Sequence, residues 1–185
     1  IFLLINTAAL LLLPRRWAPL PLLMGVCYIA REQLLIGSLH FSVIRLLVAV
    51  GVVRIIMRGE RLAYRINALD KIIIAWSVWM LFSSIFHKDP SAALVFRVGL
   101  VFDASGIYFL VRVFCRSLDD VKGLCRAMAF LLLPVALEMV YEKLTTHNLF
   151  YALGGNSMPL YIRHGRVRAQ GPFAHSILAG TVGAV

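Results

Sequence analysis

Charge is scarce in this 185-residue chain, and acid is scarcer still: 15% of residues are charged, with nine Asp and Glu against nineteen Lys and Arg. The apolar class holds 61%. So little polar surface cannot coat a soluble domain, and so much apolar surface excludes disorder. Four stretches, Ile1–Pro14, Trp17–Ala30, Ile72–Phe86 and Ala127–Leu137, have no formal charge at all. Cysteine is also sparse. Cys27, Cys115 and Cys125 show no CxxC spacing and no His at ligand distance, so they read as small core residues. No HExxH or comparable spacing occurs among the five histidines, and no metal site or other cofactor is expected. P-loop, Rossmann-glycine and nucleophile-elbow patterns are absent as well.

What remains is an all-α, polytopic transmembrane helical bundle. Taking roughly 20 residues per crossing, about seven spans are expected, two of them incomplete. They fall near 1–13, 17–31, 39–57, 71–87, 91–113, 121–142 and 173–185. The second is short, with Pro19 and Pro21 near its start, which fits a re-entrant or tilted segment. The chain opens and closes inside apolar runs, so residues 1–185 read as one transmembrane domain from within a longer protein. A cleaved signal peptide is the competing reading of the first run. Against it, no basic region precedes the run and Pro14-Arg15-Arg16 is a poor cleavage site.

A net charge of +10 would point to nucleic acid in a soluble protein. Here the bases collect between apolar segments without an aromatic-rich RNA-binding pattern, so membrane lipids, and no nucleic acid, are the expected partners. If Arg54–Lys71 is cytoplasmic, alternation places Arg15–Arg16 and Arg112–Arg126 there too, which puts 11 of the 19 bases on that side. Six remain outside, at Arg31, Lys88, Lys143, Arg163, Arg166 and Arg168, with Arg45 and Arg97 inside spans. The positive-inside rule supports this orientation, and residues 143–172 become an outer, periplasmic loop. The basic run at Arg58–Arg65 fits a surface-lying connector held by anionic headgroups. Ser117, followed by Asp119 and Asp120, reads as a capped helix start.

Three arginines within six residues, Arg163, Arg166 and Arg168, form the densest chemical signal. Guanidinium groups fork onto phosphate oxygens, so a phosphate or pyrophosphate at the membrane surface is the natural ligand. In an extended segment Arg166 and Arg168 share one side, opposite Val167, and Gly171-Pro172 ends the segment with Pro172 placed to open the next helix. An ordinary basic loop on the other side of the membrane is the alternative. His175 falls in the first turn of the last span, either as a phosphate donor or proton acceptor or as an amphipathic boundary residue. Arg45 and Arg97 lie about 10 Å from the outer end of their spans and either face protein and a polar cavity or snorkel to headgroups. Asp103, six residues from Arg97, lies on a different face of that helix and does not neutralise it. Glu138 and Glu142 are one helical turn apart, and Glu142 is placed to orient the outer arginines.

The run Glu142-Lys143, Asn148, Gly154-Gly155, Arg163-x-Gly165-Arg166-x-Arg168-x-Gln170-Gly171-Pro172-Phe173-x-His175, leading into a helix with Gly180, resembles the O-antigen ligase/polymerase family of bacterial envelope glycan enzymes. Phe41-Ser42-x-x-Arg45, followed by Arg54-x-x-x-Arg58-Gly59-Glu60, is similar to the same group, and the resemblance covers residues 17–185. It implies a multi-pass, metal-independent glycosyltransferase of the bacterial inner membrane. Such an enzyme takes a saccharide from a polyprenyl diphosphate carrier on the outer face and passes it to lipid A-core, another repeat unit or a protein. The resemblance further implies that Arg163, Arg166 and Arg168, with Arg45 and Arg97, hold the diphosphate, supported by Glu142, Gln170 and His175. The family's base, a histidine in a large downstream outer loop, has no counterpart in these residues, so no catalytic residue is assigned. A transporter or flippase of lipid-linked glycans is the rival reading, although paired broken helices in repeated halves are not seen. A non-catalytic envelope-assembly protein is a third.

Overall fold

The computed structural model describes residues 1–28, 33–36, 39–62, 65–151, 161–163, 166–173 and 175–184. Seven α-helices carry the described fold. In chain order come α1 (Phe2–Leu12), α2 (Leu20–Tyr28), a hairpin of β1 (Gln33–Ile36) and β2 (Leu39–Ser42), α3 (Val43–Arg58) and α4 (Ala68–Phe82). These are followed by α5 (Pro90–Phe114), α6 (Leu118–Thr145), a second hairpin of β3 (Tyr161–Arg163) and β4 (Arg166–Arg168), and α7 (Ser176–Ala184).

Among the described residues, three segments are long and apolar enough to cross a membrane: Ala68–Phe86, Pro90–Phe114 and Leu118–Thr145. They coincide with the expected spans at 71–87, 91–113 and 121–142. The other expected spans are shorter helices. In place of a span at 39–57, strand β2 runs to Ser42, whose hydroxyl accepts from the Arg45 N–H at 3.2 Å and starts a helix of 16 residues. The 17–31 and 173–185 runs contain helices of 9 residues each. About 30 Å of hydrocarbon needs roughly 20 helical residues, and the described helices in these three runs are shorter than that.

Helices α3 and α5 run parallel and touch through glycine. Along the contact Arg45 lies on Gly99, Val48 on Gly106, and Leu110 on Gly51; a β-carbon at any of the three glycines would strike its neighbour. Small residues let helix backbones approach closely where no water drives association. Around this seam Leu10, Leu22, Leu47, Leu110 and Phe114 form the main core, with α1 and α2 laid against α3, and α4 against α5. By contrast α5 also presents exposed apolar side chains, among them Leu94, Val95, Phe96 and Val98.

Two arginines of α3, Arg54 and Arg58, close one end of the bundle. The carbonyls of the last turn of a helix have no partner within it. Arg54 donates to the Leu10 carbonyl and, at 2.9 Å, to that of Leu13; Arg58, one turn later, donates to Leu11 at 2.6 Å. Cation and helix dipole therefore also match in sign. Arg54 is wholly buried, with Glu60 at 3.1 Å balancing its charge and the Phe114 ring 5.2 Å from its guanidinium carbon. Gly59 ends α3 in the left-handed region, φ 61°, which lets the chain turn to bring Glu60 back.

At the same end Asn67 and Asp70 form a capping box on α4. Asp70 is fully buried; its carboxylate accepts from the Tyr108 hydroxyl at 2.8 Å and pairs with Arg112, both on α5. Ser117 caps α6 as expected, in a capping box with Asp120. Arg112 and Arg116 also donate to the Arg65 and Arg61 carbonyls. The segments around Arg15–Arg16, Arg54–Lys71 and Arg112–Arg126, expected to share one side, are thus gathered by contacts at one end. At the opposite end Asp89 caps α5, and the Ala92 N–H and Ser91 hydroxyl hold its carboxyl below the usual range.

Helix α6 contains Pro134, which removes one N–H from its interior. The Tyr28 hydroxyl donates to the nearby Leu131 carbonyl at 2.9 Å, tying α2 to the altered turn. Around it Val135, Phe150, Phe173 and Ala179 form a second core. Of the cysteines only Cys27 is a core residue: Cys125 is exposed on α6, and Cys115 is half-buried, with burial pushing its thiol up.

Candidate anion site on an arginine hairpin

The expected extended segment is a strand. Positions 161, 162 and 163 pair antiparallel with 168, 167 and 166, so Arg163 is directly opposite Arg166. Register places positions 163, 166 and 168 on one face of the hairpin and Ile162 and Val167 on the other. Like charges directly across a ladder repel. Arg168 is exposed; the side chains of Arg163 and Arg166, and all of His164 and Gly165, lie outside the described residues.

Two buried acids anchor the chain before and after the hairpin. Glu142, in the last turn of α6, accepts at one oxygen from the N–H groups of Gln170 at 3.0 Å and Gly171 at 2.8 Å. Glu138, one turn earlier, accepts the Leu149 N–H at 3.0 Å. Asn148 completes the clamp by donating to the Gly171 carbonyl at 2.8 Å. Gly171 has φ 56°, the left-handed region that favours glycine, and a β-carbon there would also press on Met139. The described contacts of Glu142 across this junction are thus to the backbone N–H groups at 170–171. A direct Glu142 contact to Arg163 or Arg166 lies outside the described residues.

Gln170 is buried at this clamp. Pro172 does not open the helix: it lies in a turn closed by the Phe173 N–H on the Gln170 carbonyl at 3.1 Å, and α7 begins at Ser176. His175 is exposed and precedes the helix, its carbonyl accepting from the Ala179 N–H at 3.2 Å.

Arg45 and Arg97 both face protein. Arg45 reaches Asp103 through two nitrogens, with Nη2 to Oδ2 at 2.9 Å and Nε to Oδ1 at 3.1 Å. The partner of Asp103 is thus on α3, not on its own helix. Arg97 donates to the Met80 carbonyl at 3.0 Å, to the Ser83 hydroxyl and to His87 Nε2. A guanidinium has no acceptor, so the His87 ring nitrogen is the acceptor in this contact. These partners stand apart from the hairpin clamp, and the contacts of the described residues do not bring the five arginines to one point.

Asp70 and Tyr108 lie outside the sequence-based candidates. Their signals were present: Asn67-x-x-Asp70 is a capping-box spacing, and Tyr108 and Arg112 are one turn apart. Among the described residues no group of three or more His, Cys, Asp or Glu is arranged to hold a metal ion. Compared with protein-family models, curated proteins and solved structures, the chain gave no match.

Proposed function

We propose that the chain is part of an integral-membrane glycosyltransferase of the O-antigen ligase/polymerase kind, moving a saccharide from a polyprenyl diphosphate carrier to an envelope acceptor. The observation that carries this reading is the pairing of Arg163 with Arg166, on the face that also holds position 168. Guanidinium forks match diphosphate oxygens in geometry and charge. The hairpin follows the C-terminal end of α6, whereas the basic rim includes the start of the same helix. With the rim cytoplasmic by the positive-inside rule, the hairpin faces the periplasm of a bacterial inner-membrane, multi-pass protein. There it meets the phosphates of a lipid-linked donor. The reading needs no metal, because the arginines supply the positive charge.

The test is transfer from a polyprenyl diphosphate-linked saccharide by the purified full-length protein. Arg163→Lys, Arg166→Lys and Arg168→Lys keep the charge but lose the planar two-bond grip. A charge-assisted hydrogen bond contributes about 1.5–3 kcal/mol, so each variant is expected to fall about 10- to 100-fold. Wild-type rates in all three would reject the reading.

A further inference from the structure

The end of the bundle opposite the arginine hairpin carries a surface of its own. On the segment joining α3 to α4 and on the first turn of α4, Arg61, Arg65 and Lys71 are exposed. Their backbone is turned inward: the Arg61 carbonyl accepts from Arg116 at 2.9 Å and that of Arg65 from Arg112 at 3.5 Å. The acids nearby are committed elsewhere. Glu60 pairs with Arg54, Asp70 is buried against Arg112 and Tyr108, and Asp120 accepts the Arg116 and Ser117 N–H groups. Asp119 is exposed but lies 3.6 Å from Lys122. Among the described residues the three cations therefore have no carboxylate partner.

Between them the same surface is apolar. Leu62, Ile66 and Leu69 are exposed by 36%, 57% and 53%. A nucleic acid or an acidic peptide would match the cations alone. Aliphatic side chains alternating with cations, beside segments long enough to cross a membrane, match an interface where phosphates overlie acyl chains.

We propose that Arg61, Arg65 and Lys71 form a binding site for anionic phospholipid, their cations on headgroup phosphates and Leu62, Ile66 and Leu69 among the upper acyl carbons. This inference is independent of the transferase reading. A cation near an anionic membrane surface contributes about fivefold in affinity, and salt screens it.

The experiment is lipid retention by the full chain in detergent micelles, followed by native mass spectrometry with phosphatidylglycerol and phosphatidylcholine in competition. Wild type is expected to prefer phosphatidylglycerol at least tenfold and to lose the preference in about 0.5 M salt. Arg61→Gln, Arg65→Gln and Lys71→Gln should each cost about fivefold, and Arg61→Lys with Arg65→Lys should retain most of the preference. A preference unchanged in the glutamine variants overturns the proposal. So does a wild-type preference indifferent to salt, which can be read even if a variant fails to fold. Displacement of the lipid by inorganic phosphate or a short DNA duplex at equal phosphate concentration would also overturn it, assigning the surface to soluble anions.

Discussion

Asp70→Ala is expected to cost about 3–5 kcal/mol of stability, measured by unfolding in detergent micelles, because it leaves Arg112 beside a cavity without its counter-charge. One carboxylate serves three partners there: the Asn67 N–H at 2.8 Å, the Tyr108 hydroxyl and Arg112. Cap, hydroxyl and ion pair fail together, and α4 loses its lock on α5 at the basic end. Asp70→Asn keeps the shape and can still accept from Tyr108, so it should cost less. Tyr108→Phe removes one neutral hydrogen bond and should cost about 0.5–1.5 kcal/mol. Equal stability of Asp70→Ala and wild type would show that Arg112 is not confined by Asp70.

The second large effect is expected at Glu142. Glu142→Ala leaves the buried N–H groups of Gln170 and Gly171 without acceptors, at about 1–3 kcal/mol each. That loss falls on one junction rather than on the whole bundle. Hydrogen exchange at Gln170 and Gly171 should therefore accelerate at least tenfold while α5 remains protected. Glu142→Gln retains a carbonyl oxygen for both donors, and its amide replaces the oxygen that accepts no hydrogen bond among the described residues. Its exchange should stay near wild type. Transfer by the full-length Glu142→Gln protein then separates two roles: wild-type rates assign Glu142 to holding the backbone, and reduced rates assign a further role to its charge.

Sequence and structure agree where a single physical quantity dominates. Apolar length determined 71–87, 91–113 and 121–142, and the described membrane-length segments begin and end within three residues of those limits. Ser117 was legible because a cap acts within one turn of its own residue. The run expected as one helix at 39–57 begins as a strand, because apolar composition does not distinguish a strand from a helix, and Ser42 marks the change between them. Arg45 and Asp103 are 58 residues apart, and only the glycine seam of α3 and α5 brings them together. The hairpin was half legible: Arg166-Val167-Arg168 reads as extended from its alternation, whereas its pairing with Tyr161–Arg163 depends on a register that spacing alone does not give. Glu142 was recognised as supporting, but its partners are backbone N–H groups, which carry no sequence identity.

Affinity for polyprenyl diphosphate against polyprenyl monophosphate, measured on the full-length protein in micelles, tests the central claim most directly. Guanidinium groups on one hairpin face should bind the diphosphate at least tenfold more tightly. The preference should shrink in Arg166→Lys and Arg168→Lys while monophosphate affinity changes little. Equal affinity for the two lipids in wild type, or a preference unaltered by both substitutions, would contradict the assignment of the hairpin to a diphosphate donor.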